Sequence, residues 1–176
     1  MRCNNRFEPR APWQVACSPE CAELLAKAKR EKVDNERAKV TKRELKDAKL
    51  AQRPIGYFRE RAQRSINAYR RELTRHLGCM SCGTKNGKMN GGHYKSVGSS
   101  PETRFIEINI WCQCERCNSH LSGNLINYRA NLLKHIGQER LDWLEGSHEM
   151  PHYKIPDLQE IEQKYLKLAR ELKQNS

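Results

Sequence analysis

Two cysteine pairs, Cys79-Met80-Ser81-Cys82 and Cys114-Glu115-Arg116-Cys117, share one spacing in this chain of 176 residues. Each pair can offer two thiolates to one ion, and together they make the four-sulfur tetrahedral set that suits structural zinc. Gly83, just after the first pair, fits the tight turn such a knuckle makes. Four thiolates leave no open coordination position, so a Zn²⁺ held here is expected to clamp the fold and not to catalyse. Cys112 could compete for the ion, but the two-residue spacing favours Cys114 with Cys117, and Cys112 reads as a buried thiol. The 31 residues between the pairs exceed the ~15–20 of a compact zinc ribbon, so something is inserted there.

The insert carries Gly91-Gly92-His93-Tyr94 and Asn109-Ile110-Trp111, and the second knuckle runs on into Asn118-Ser119-His120. Hydrolysis of a phosphodiester needs a base for water and a cation for the developing charge. An imidazole with an ordinary pKa of about 6.5 suits the first task near neutrality, which makes His93 the candidate base. Asn109 is suited to hydrogen-bond the His93 loop and fix its ring. Asn118 and His120 are expected at the start of a helix, where they could hold a catalytic divalent ion, Mg²⁺ or Mn²⁺, together with phosphate oxygens. Lys95, Arg104 and Arg116 are the basic residues expected to meet DNA. His76, His135, His148 and His152 show no such arrangement and read as surface or packing residues.

These groups must be positioned by helices. Residues 22–53 contain no Gly, Pro or aromatic residue, and eleven Lys/Arg face six Asp/Glu there. The pattern predicts a long, solvated, basic helical arm, serving either as a spacer or as a DNA contact. Ala26, Val33 and Val40 keep a seven-residue step that Asp47 breaks, so no sustained coiled-coil seam is expected. Before the arm, Ser18-Pro19-Glu20 reads as an N-cap with Pro in the first turn. Pro54 and Gly56 should end the arm. Residues 57–77 then place Phe58, Ala62, Ile66, Tyr69, Leu73 and Leu77 on one helical face, stopped by Gly78. Leu125, Tyr128, Leu132, Leu133 and Ile136 predict another helix, ended by Gly137. A last helix from Pro156-Asp157 carries Leu158, Ile161, Tyr165, Leu168 and Leu172 and should pack on a partner helix or a second subunit.

The balance of 33 Lys and Arg against 21 Asp and Glu gives +12, which favours a polyanionic partner. No stretch approaches the ~20 apolar residues of a membrane span, and Met1-Arg2-Cys3-Asn4 lacks the apolar run of a secretory signal. A reducing cytoplasm is therefore expected, where eight cysteines read as metal ligands or thiols and not as disulfides.

The order His93, Asn109, Asn118/His120 resembles the His-Asn-His nuclease pattern, in which the first His ends one strand and the Asn lies near the second. More specifically, several segments resemble the NinG family of lambdoid phages, also called Rap: Gly92-His93-Tyr94-Lys95-Ser96-Val97, Arg104-Phe105, Cys117-Asn118-x-His120 and Ser122-Gly123-Asn124-Leu125. The likeness extends from Cys17-Ser18-Pro19-Glu20-Cys21 to the helix bearing Tyr165. It implies an α+β, mostly helical fold: a zinc-clamped ββα-metal core flanked by helices, with a long charged helix before it. The implied divisions are a Cys-bearing head at 1–21, the arm at 22–53, a nuclease core at 54–150 and a C-terminal helix at 151–176. The implied activity is metal-dependent cleavage of branched DNA such as Holliday junctions, in the cytoplasm of a bacterial host, alongside phage recombination proteins. Symmetric resolution of a four-way junction favours a homodimer. The alternative function is a non-catalytic zinc module that binds nucleic acid as a recombination mediator or regulator.

Two departures stand out. Many His-Asn-His nucleases have an acidic or His metal ligand just before the base, where this chain has Gly92; Asn90, Asn124 or a residue elsewhere would have to replace it. The head resembles a four-Cys finger, yet only Cys3, Cys17 and Cys21 are present to form a second zinc site.

Overall fold

The computed structural model describes residues 6–174. They fall into two compact units, Met1–Arg53 and Pro54–Ser176.

The first unit is dominated by one helix, α1 (Pro19–Ala51). Ser18 is extended, and its hydroxyl accepts the Cys21 N–H at 3.3 Å. Pro19 fills the first helical position, where its missing N–H costs nothing. Glu20 in the first turn and Lys49 in the last complement the helix dipole. No residue of α1 is buried, and Val33 and Val40 are exposed. Its helicity therefore rests on propensity and length, not on a core.

The second unit is built around α2 (Ile55–Thr74), extended by a 3₁₀ turn, Arg75–Leu77. Gly56 does not break the chain; it lies in the first turn of α2, and Pro54 at the N-cap sets the boundary. Phe58, Ala62 and Ile66 are buried as the periodicity predicts, but the buried strip then passes to Arg70 and Thr74 and leaves Leu73 half-exposed.

The sheet explains that drift. Strands β1 (Met89–His93) and β2 (Ile110–Cys114) form an antiparallel ribbon, pairing Met89 with Cys114 and His93 with Ile110. The outer edge of β2 needs partners for its backbone. Arg70 Nε donates to the Ile110 carbonyl at 2.9 Å, and Thr74 Oγ1 accepts the Cys112 N–H at 2.8 Å. The Arg70 guanidinium also lies over the Trp111 ring, 4.9 Å from its centroid.

Helix α3 (Leu125–Glu145) is two helical pieces, broken at Gly137, whose φ of 79° is left-handed. Its Tyr128, Leu132, Ile136, Leu141 and Leu144 form the main core with Met80 and Trp111. The final helix, α4 (Ile155–Gln174), packs on α2. Tyr165 meets Tyr69 with ring centroids 5.5 Å apart, and Arg61 pairs with Glu162 at 2.7 Å. The apolar face of the last helix thus finds its partner within the chain. The fold is mostly helical with one small two-stranded sheet. Among the described residues, no helix is long and apolar enough to cross a membrane.

Candidate active site and metal centre

At one end of the ribbon, Cys79, Cys82, Cys114 and Cys117 bring their sulfurs within 4.8 Å of one another. Cys82 and Cys114 Sγ are 3.8 Å apart, and tetrahedral zinc with Zn–S bonds of about 2.3 Å would set its sulfurs about 3.8 Å apart. The cluster is assembled locally. Cys79 O accepts the Gly83 N–H at 2.7 Å, which closes the first knuckle, and Met80 N–H donates to Cys112 O at 2.8 Å, which fastens it to β2. Burial pushes the Cys117 thiol up to about 12. Four sulfurs this close, three of them buried, make a donor set that fits a metal such as zinc. Cys112 lies outside the cluster, fully buried, its thiol raised by that burial. In the head, Cys17 and Cys21 Sγ are 3.4 Å apart, while Cys3 lies outside the described residues.

His93 ends β1 at the opposite end of the ribbon. Its Nε2 lies 3.2 Å from the Arg104 carbonyl and 3.1 Å from Gln63 Nε2. The carbonyl can only accept and the Gln63 NH2 can only donate, so Nε2 serves one of them with a proton or the other with its lone pair. Burial holds the imidazole below its ordinary range; the bond to the Arg104 carbonyl opposes this, and the Arg104 charge adds to it. The ring is therefore neutral near neutral pH.

Behind it stands Asn109, fully buried. Its Oδ1 accepts the Lys95 N–H at 2.7 Å, and its Nδ2 donates to Lys95 O, Thr103 O and Thr103 Oγ1 at 3.0–3.2 Å. The Asn109 backbone carbonyl also accepts the Tyr94 N–H at 2.9 Å. One residue thus ties down both positions that follow His93.

His93, Lys95, Asn118 and Glu145 line a cleft of about 690 Å³. Glu145 joins its two walls: Tyr94 donates to it at 2.5 Å and Arg129 pairs with it at 2.7 and 2.9 Å. Asn118 reaches the cleft from a single π turn, Arg116–His120, where the start of a helix is expected. Left-handed backbone at Ser122, Gly123 and Asn124 separates that turn from α3. His120 and Arg116 are exposed and do not line the cleft, and Arg104 is half-buried outside it.

Three residues that the motifs do not single out support this region. Arg70 and Thr74 hold β2, and Tyr128, fully buried, donates to the Gly92 carbonyl at 3.0 Å. Gly92 itself has no room for a side chain. A Cβ there would lie 2.1 Å from Gln113 Oε1 and 3.0 Å from Asn118 Oδ1. Neither Asn90 nor Asn124 lines the cleft.

The fold and site define a cysteine-clamped, mostly helical protein with one short β-ribbon. The family described as Bacteriophage Lambda NinG protein matches residues 1–175, and the chain belongs to that family. It is 37% identical to Protein ninG of Escherichia phage lambda over 186 residues, covering 97% of this chain and 90% of that protein. It is 36% identical to Protein ninG of Escherichia phage 933W, covering 97% and 91%, and 35% identical to that of Salmonella phage P22, covering 97% and 90%. No solved structure matches.

Proposed function

We propose that this protein is a structure-selective DNA endonuclease that cuts branched recombination intermediates such as Holliday junctions by metal-dependent phosphodiester hydrolysis. The observation that carries this reading is the setting of His93: a neutral imidazole, anchored through Nε2, on a cleft it shares with Asn118. In this reading the ribbon, the π turn and α3 act as a ββα-metal core, with zinc on the four cysteines as its clamp.

His93 takes the proton of the attacking water, while Asn109 holds the loop that carries it. Asn118, which lines the same cleft, would hold a Mg²⁺ or Mn²⁺ ion. Such an ion, when bound, stabilises negative charge on the phosphate and the leaving oxygen. His120 is exposed outside the cleft and has a lesser claim as a ligand. Lys95, Arg104, Arg116 and the basic arm supply phosphate contacts with no sequence preference. The host cytoplasm is the working compartment, and a homodimer acting with other phage recombination proteins accounts for symmetric resolution.

His93→Ala tests the assignment. It should lower single-turnover cleavage of a four-way junction by roughly 10²–10⁴-fold, with a gel-shift titration close to the parental one. Cleavage near the parental rate would remove His93 from the mechanism. Parental protein that binds junctions in Mg²⁺ or Mn²⁺ without cutting them would favour a zinc-containing mediator.

A further inference from the structure

Gln113, on the strand behind the cleft, has a side chain whose hydrogen bonding is incomplete. It is fully buried in β2, between two cysteines. Its Nε2 donates to the Gly123 carbonyl at 2.5 Å and to Ser81 Oγ at 2.7 Å. Ser81 in turn donates to the same Gly123 carbonyl at 3.0 Å. A backbone carbonyl can only accept, so the amide has one allowed orientation, and Oε1 faces the other way. That oxygen is buried without a partner, a condition that costs about 1–3 kcal/mol if nothing fills it.

The direction in which it points is informative. In the ribbon Gln113 pairs with Asn90 and Trp111 with Gly92, so Gln113 is the diagonal neighbour of Gly92. Because Gly92 has no side chain, Gln113 leans over it. Its Oε1 comes within 2.1 Å of the place a Gly92 Cβ would take, and Asn118 Oδ1 lies 3.0 Å from the same place. Two amide oxygens from different elements therefore converge where a residue-92 side chain would begin. Oxygen donors, amide carbonyls among them, suit hard cations such as Mg²⁺ and Mn²⁺, which fill their remaining positions with water or phosphate oxygens.

We infer that Gln113 Oε1 and Asn118 Oδ1 are ligands of one divalent cation, with Gln113 supplying from β2 the donor that Gly92 cannot. The inference deepens the nuclease reading and rests on its placement of the ion at Asn118. Gly92 is then part of the site: any Cβ there displaces the oxygen that takes its place.

Manganese is the probe. The full-length protein, with its four cysteines saturated by zinc, is titrated with Mn²⁺, and free ion is read by electron paramagnetic resonance. Gln113→Met keeps the shape but removes the oxygen, and Asn118→Ala removes the other; each should weaken Mn²⁺ binding at least roughly tenfold. Gln113→Glu adds a charge to the same donor and should tighten it at least roughly tenfold. Zinc content reports whether each variant keeps its fold. If Gln113→Met loses its zinc, Gln113→Glu decides, and a parental Mn²⁺ affinity in that variant overturns the inference. So does Mn²⁺ binding that Asn118→Ala weakens while both residue-113 variants leave it unchanged, as expected if Asn118 simply donates a hydrogen bond to Gln113. Mn²⁺ binding that needs both residues, in a protein that cuts no DNA, overturns the nuclease reading and leaves the ion site standing. Cleavage with Mn²⁺ binding indifferent to residue 113 does the reverse.

Discussion

The two ends of the ribbon are fastened in different ways. At the Met89–Cys114 end, four sulfurs from two knuckles converge on one point. At the His93–Ile110 end, about 13 Å along the strands, the fastening is a set of neutral hydrogen bonds centred on Asn109. A four-thiolate metal centre is rigid but carries fixed charge and no open position. Placed beside His93, it would disturb the imidazole and occupy the cleft. An amide network holds a loop from behind without charge and leaves its front free. The cysteine cluster and the His93 cleft thus lie at opposite ends of the same five residue pairs.

Breaking the sulfur end should have the largest effect. Zinc-finger peptides gain roughly 10–16 kcal/mol from their metal, as much as the roughly 5–15 kcal/mol by which a whole domain is usually stable. Cys117→Ser, or stripping the metal with a chelator, should therefore abolish the cooperative thermal transition of residues 54–174. Elemental analysis of the intact protein should find about one zinc per chain. A chain with no metal and an unchanged transition would show that the four sulfurs need no ion.

Breaking the amide end should cost less and act on rate as well as stability. Asn109→Ala strands the buried Lys95 N–H and Thr103 groups, at about 1–3 kcal/mol for each group left without a partner. A displacement of His93 by about 1 Å would cost on the order of 10²-fold in cleavage. Zinc content should stay at the parental value, which separates this defect from the first. Asn109→Asp keeps the acceptor for Lys95 N–H but sets a carboxylate against the Lys95 and Thr103 carbonyls, so it should be no milder. A parental melting temperature and cleavage rate in both variants would mean that the loop is held by something else.

The two ends also differ in how far the sequence reveals them. The knuckles are readable because metal geometry imposes a spacing. Asn109 stands out through its order between His93 and the second knuckle, which matches the His-Asn-His pattern. Gln113 is not, because between Cys112 and Cys114 it looks like a spacer until the strand register sets it diagonally across from Gly92. Arg70 and Thr74 are hidden for a related reason: apolar periodicity ranks Leu73 above them, whereas the β2 edge needs hydrogen bonds that leucine cannot make. The π turn that carries Asn118 was similarly out of reach, although Ser122-Gly123-Asn124 does signal the left-handed backbone that divides it from α3.

Acid should separate the two ends by the smallest effect. Burial lowers the His93 pKa below the ordinary value of about 6.5, and the Arg104 charge acts in the same sense, against the bond to the Arg104 carbonyl. A base with a lowered pKa keeps its lone pair to lower pH. Cleavage at about pH 6.5 should therefore exceed half of its plateau, and the acid limb should lie below that pH. Linkage gives the same sign for stability: the fold disfavours the imidazolium, so the His93 contribution is full above about pH 6.5 and is lost as pH falls through the depressed value. At the other end protons compete with the metal for thiolates, so acid should appear there as zinc release and not as a titration of rate. Arg104→Gln keeps the backbone carbonyl and removes only the charge, and should move the acid limb slightly upward. The measurement is single-turnover cleavage between about pH 5 and 8, with zinc assayed at each point. An acid limb above about 6.5 in fully zinc-loaded protein would mean that the cleft stabilises the imidazolium, and His93 would then fit a general acid better than a base.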